Sequence, residues 1–213
     1  MPKIINKIVK VLIVSDFFLN LGWGLLSPVF AIFILKDITT QDPLKAAEVA
    51  GFAALFYWIT KSFLTIPVGY ILDKKGGEKD DFWVMVIGEL IMVFIPIGYL
   101  LANAPWHIYL LQILYGSGTA MAFPSWLAIF TRHIDEGKEA FEWGVESTSI
   151  GMGAGIAGGL GGIIAGALGF SVLFVIVSLL NFVGAVFLIL IRNNVALRRD
   201  GVKVILEKPV VAP

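Results

Sequence analysis

Apolar residues run along this chain in six long blocks, and the short stretches between them hold most of its charge. The blocks cover about residues 10–35, 48–72, 82–102, 106–131, 141–168 and 170–192. Each has at least ~20 residues, and a helix of that length, rising 1.5 Å per residue, crosses the ~30 Å hydrocarbon layer of a bilayer. Blocks this long exclude a β-barrel, whose strands alternate over ~10 residues. The pattern predicts an all-α polytopic membrane protein: a six-helix transmembrane domain over residues 1–192 and a basic tail from 193 to 213. The first block follows Lys3, Lys7 and Lys10, as a signal peptide would. It is too long for one and carries Asp16 and Asn20, so it is read as the first helix.

Composition supports this reading. The 213 residues are 58% hydrophobic and 15% charged, with a mean hydropathy of +0.87. Soluble domains are nearer half apolar and a quarter charged. Basic residues set the expected orientation. Thirteen of the 16 Lys and Arg fall at the N-terminus, in the loops near Lys74 and Lys138, and in the tail; the opposite side has Lys36 and Lys45. Both termini are therefore expected in the cytoplasm. Trp83, Trp106 and Trp143 open helices three, four and five, where indoles favour the interface. With no cysteine, disulfides, thiol catalysis and cysteine metal sites are excluded. His107 and His133 lie at loop boundaries and are expected at the surface. No metal or other cofactor is expected, and no nucleophilic triad or paired-acid constellation marks an enzyme. Acidic and basic residues balance at 16 each, which suggests no nucleic-acid partner.

Polar residues inside the blocks are the candidate chemistry. On helix one, Asp16, Asn20, Gly24 and Ser27 fall at intervals of four, four and three, a single stripe. Tyr57 and Lys61 share a face of helix two. Tyr109, Gln112, Gly116 and Thr119 form a stripe on helix four. A lysine near the midplane is a functional candidate by default. A simple Lys61–Asp16 pair is disfavoured, because the two lie at depths about 7 Å apart at 1.5 Å per residue and lean in opposite directions. Glu89 in helix three is a structural group or a proton site. Glu142 and Glu146, four apart near the start of helix five, are expected to serve that helix end or to reach Arg132.

Three motifs carry a resemblance. The loop after helix two reads Gly69-Tyr-Ile-Leu-Asp73-Lys74-Lys75-Gly76, followed by Gly77-Glu78-Lys79. Helix five reads Gly144, then Gly153, Ala157-Gly158 and Gly161-Gly162. Helix four reads Gln112-Ile-Leu-Tyr-Gly116-Ser-Gly118. In order and placement these resemble the signature motifs of the major facilitator superfamily. Departures stand at Gly77-Glu78, where the family has a basic pair, at Ala157 for Gly, at Gly158 for Pro, and at Gln112 for Arg. Helices one and four also share a pattern, Gly22-Trp-Gly24 before Pro28 and Gly116-Ser-Gly118 before Pro124, as an inverted three-plus-three repeat would.

The resemblance implies a secondary transporter working by alternating access. The family normally has twelve helices in two halves; six correspond to one half, so a homodimer of half-transporters is expected. Asp16, Asn20, Tyr57, Lys61, Tyr109, Gln112 and Thr119 would line the pathway, and Asp16 and Glu89 are candidate proton sites. Gly69, Asp73, Lys74 and Gly76 would form a latch against the start of helix five in a second copy. Gly144, Gly153, Gly158, Gly161 and Gly162 would serve helix packing, the last in a motif typical of antiporter-like exporters. Lys61 points to a small anionic or amphiphilic solute. The lipid bilayer is the other partner, and the expected location is a prokaryotic cell (inner) membrane. The alternatives are a non-transporting scaffold or partner subunit, and one half of a heteromeric transporter.

Overall fold

A computed structural model describes residues 5–75 and 77–196. Among these, six helices are long and apolar enough to cross a membrane, and no strand occurs. They are α1 (Lys7–Ile38), α2 (Pro43–Lys75), α3 (Glu78–Leu100), α4 (Pro105–His133), α5 (Glu139–Leu168) and α6 (Phe170–Ile189). A short α7, Arg192–Ala196, follows. The long helices number the expected six. The basic tail begins with α7, whose Val195 is buried; residues 197–213 lie outside the described residues.

Local chemistry fixes the helix ends. Asn6 caps α1, its Oδ1 accepting from the backbone N–H groups of Ile8 and Val9 at 2.9 and 3.0 Å. Pro28 lacks an N–H, and α1 loosens there into a 3-10 turn at Ser27–Val29 and a π turn at Ile34–Ile38. Gly169, at φ +84°, turns the chain between α5 and α6, a conformation that a side chain would oppose.

The helices do not pack in chain order. Helix α1 lies between α5 and α6, and α4 lies between α2 and α3; the two sets join where α3 meets α6. Two apolar clusters form, one toward each end of the bundle. One gathers Leu25, Phe33, Ile34, Tyr99, Ile108 and Phe174, with Phe30 and Phe170 packed against it. The other gathers Leu12, Phe82, Met85, Ile129, Phe130 and Leu188. Beyond the second cluster, Asp81 pairs with Arg132, and the buried His133 faces Glu78 at 3.3 Å. The expected surface position of His133 is corrected here: the acidic first turn of α3, with Glu78 and Asp81, folds over the end of α4. In the neighbouring loop the ammonium of Lys138, 3.1 Å away, holds the Asp135 carboxyl below its ordinary pKa.

Candidate functional site

Between the two clusters lies a cavity of about 370 Å³. Glycines at the helix crossings create it. A Cβ on Gly161 would stand 1.9 Å from the Leu25 carbonyl oxygen, and one on Gly153 would stand 3.2 Å from the Phe17 ring. Bare backbone there lets α5 lie on α1, which brings Glu146 against Asp16. A Cβ on Gly88 would come within 2.5 Å of the Gly118 carbonyl oxygen, so α3 and α4 also cross closely. The residues that follow, Glu89 and Thr119, both face the cavity. Gly116 lies under the Tyr57 carbonyl, 2.7 Å from where its Cβ would be, and its neighbour Tyr115 stacks on Tyr57.

The result is a site with acids from three helices. Asp16 of α1, Glu89 of α3 and Glu146 of α5 line one space, and no Lys, Arg or His is among its lining residues. The Asn20 amide donates to Asp16 Oδ2 and to the Asp16 carbonyl, both at 2.9 Å. Glu89 and Glu146 are each 3% exposed. The Glu146 carboxyl meets that of Asp16, and Oε2 of Glu89 lacks a hydrogen-bond partner among the described residues. The indole N–H groups of Trp23 and Trp126 are also buried and unpartnered. Aromatic rings bound the site at both ends. Trp23 stacks on Tyr115 at 4.0 Å and Tyr115 on Tyr57 at 4.6 Å, while Trp126 and Trp143 meet edge to face at 6.2 Å.

The expected pathway residues divide. Asp16, Asn20, Tyr57 and Thr119 line the cavity together. Lys61 sits at its edge, with Nζ 4.8 Å from the Trp58 ring centroid, 5.2 Å from that of Phe123 and 5.9 Å from that of Tyr57. Among the described residues no carboxylate forms an ion pair with Lys61. Gln112 is buried elsewhere, its Nε2 donating to the Tyr99 hydroxyl at 3.1 Å, and Tyr109 packs on Phe52 and Phe56. Glu89, a candidate proton site, is in the lining beside Asp16. Glu146, Tyr115 and Trp143 belong to the site without having been expected there, and Trp23 and Trp126 line it as well. Of the candidate latch, Asp73 and Lys74 are exposed at the end of α2, Gly69 meets nothing, and Gly76 lies outside the described residues. Of the packing glycines, Gly153 and Gly161 touch α1, whereas a Cβ on Gly144, Gly158 or Gly162 would meet nothing within 4 Å.

A sequence profile described as Major Facilitator Superfamily matches residues 12–210, and no curated protein matches the chain. The chain therefore belongs to the Major Facilitator Superfamily, a family of membrane transporters, and is an integral membrane protein.

Proposed function

We propose that this member of the superfamily is a secondary transporter that carries a small solute by alternating access, as a homodimer of half-transporters with proton coupling. The observation that carries the reading is the cavity lined by Asp16, Glu89 and Glu146 within the bundle, with apolar clusters standing on either side of it. Charge at that depth costs at least ~2.5–3.5 kcal/mol per group on insertion scales, which marks a functional site rather than filler. Asp16 and Glu89 are the proton sites of this proposal, joined by Glu146. Exchanging α1 with α4, α2 with α5 and α3 with α6 maps each main packed pair onto another, which supports an inverted three-plus-three repeat. The distribution of Lys and Arg supports cytoplasmic termini.

The faces left bare support the dimer. Helix α2 packs chiefly on α4 and exposes Trp58, Phe63, Ile66 and Tyr70. Helix α5 exposes Gly144, Gly151, Gly155 and Gly162 along one face. Bulky residues of one copy fit the glycine groove of the other, around an axis along the membrane normal. A shallow groove lined by Phe141, Gly144, Val145 and Thr148 is where the α2 end of a second copy would latch. The first turn of α5 carries Glu139 and Glu142, so Lys74 beside Asp73 supplies the opposite charge there.

Because the chain has no cysteine, single cysteines report directly on access. Cysteines at Leu127 and Leu19 should exchange reactivity toward impermeant reagents from the two sides when a proton gradient is reversed in proteoliposomes. Lys74→Gln should weaken closure of the cytoplasmic side without unfolding the protein. Fixed accessibility under every gradient, with no solute or proton flux, would overturn transport in favour of a scaffold or partner-subunit role.

A further inference from the structure

The polar part of the cavity is acidic, and the rest is largely aromatic. Asp16, Glu89 and Glu146 supply carboxyl groups to one space, Glu146 meets Asp16, and Glu89 Oε2 is buried without a partner among the described residues. A buried carboxylate is costly until a proton or a cation faces it. The rings of Trp23, Tyr115 and Tyr57 stack face to face along one wall, with Tyr115 between the other two. An aromatic face is electrically negative and attracts a cation within ~6 Å of its centre. The chain uses this property itself: the Lys61 ammonium lies over Trp58, Tyr57 and Phe123, and the last two of these also line the cavity. An anion entering here would meet three carboxyl groups and no basic side chain among the lining residues. The lysine that pointed toward an anion is held by rings at the cavity's edge and does not line it.

We infer that the cavity is a binding site for hydrophobic organic cations: a quaternary or protonated amine, or a phosphonium, on an apolar or aromatic body. The positive centre sits among Asp16, Glu89 and Glu146, and the body lies against Trp23, Tyr115 and Tyr57. At about 370 Å³ the space falls within the ~300–1,000 Å³ of small-molecule pockets. The inference rests on the transporter reading for the movement of the cation, though not for its binding.

Two probes of one shape and opposite charge decide it. The full chain is placed in lipid nanodiscs and dialysed to equilibrium against tetraphenylphosphonium or tetraphenylborate, with empty nanodiscs subtracted. Saturable phosphonium binding is expected, at least tenfold tighter than any borate binding. Glu89→Gln and Glu146→Gln should each weaken phosphonium binding at least fivefold, while Asp37→Asn, at an exposed position outside the cavity, leaves it unchanged. Equal or tighter binding of the borate overturns the inference, as does phosphonium binding unaffected by both Gln variants. The charge preference is read on the unaltered chain, so a variant that fails to fold leaves the decision intact. Phosphonium that binds in nanodiscs but never enters proteoliposomes upholds the cation site and removes the transporter reading. A different solute carried by a chain that binds no phosphonium overturns the cation site and leaves transport standing.

Discussion

Helix α5 carries glycine on two faces, and the two faces meet different things. Gly153 and Gly161, with buried Ala157 between them, press on α1, so closely that a methyl at Gly161 would overlap the Leu25 carbonyl. Gly144, Gly151, Gly155, Gly158 and Gly162 meet nothing within 4 Å. The inner face accounts for itself: it lets two backbones approach, and one consequence is that Glu146 reaches Asp16. The outer face has no such account within one chain. Glycine in a helix costs ~0.5–1 kcal/mol relative to alanine, and lipid gives nothing back for the missing side chain. The contrast teaches that identical spacing can serve two neighbours, one inside the fold and one, in the dimer proposed above, outside it.

The largest effect that would break the comparison comes from adjacent residues. Gly161→Ala should destabilise by about 1–3 kcal/mol, because its methyl meets backbone rather than a movable side chain. Gly162→Ala, one position on, should be neutral or should stabilise slightly. Thermal unfolding in detergent measures both, and equal midpoints would mean that α5 does not distinguish its faces.

A second substitution tests the outer face alone. Gly158→Leu combined with Gly162→Leu should leave the unfolding midpoint of the monomer nearly unchanged while removing association. The assay is a disulfide between copies carrying Phe63→Cys and Gly151→Cys in native membranes, residues at matched depth on α2 and α5. A crosslink that survives the leucines would assign the bare glycines to lipid. A crosslink absent even without the leucines would remove the α2–α5 interface.

The legibility of this molecule in its sequence follows the same division. Bilayer thickness dictates helix length, so the six spans were readable from apolar blocks alone. Asp16, Asn20, Tyr57 and Thr119 were readable as polar stripes. Tyr109 and Gln112 belong to the same stripe as Thr119 yet turn elsewhere. Helix α4 touches both α2 and α3 at that height: Tyr109 packs on Phe52 and Phe56 of α2, and the Tyr99 hydroxyl of α3 takes the Gln112 amide. Glu146 was missed although its register was available: it lies seven residues before Gly153 and eleven before Ala157, on the same buried stripe. Its nearness to a helix end favoured a role at that end, where Glu139 and Glu142 instead accept from the Gly137 and Asp135 N–H groups of the preceding loop. His133 was misread because a helix end is exposed only if nothing folds over it, and the covering turn of α3 is distant in sequence.

The smallest expected effect concerns Lys61, on the same helix as the bulky exposed face. Its ammonium is held by three rings and no carboxylate, at the edge of a cavity with three acids and no base. Within a low-dielectric bundle its charge is felt by anything positive that enters, since Coulomb energy falls only with the first power of distance. Lys61→Met removes that charge and keeps a polarizable chain against the rings. Tetraphenylphosphonium should then bind about threefold tighter, with an unfolding midpoint that barely moves, as for substitutions away from packed contacts. If Lys61 instead serves an anion, the same variant should lose tetraphenylborate binding and leave the phosphonium unchanged. Weaker phosphonium binding together with a lower midpoint would assign Lys61 a third role, holding Tyr57 and Phe123 in the positions from which they line the cavity.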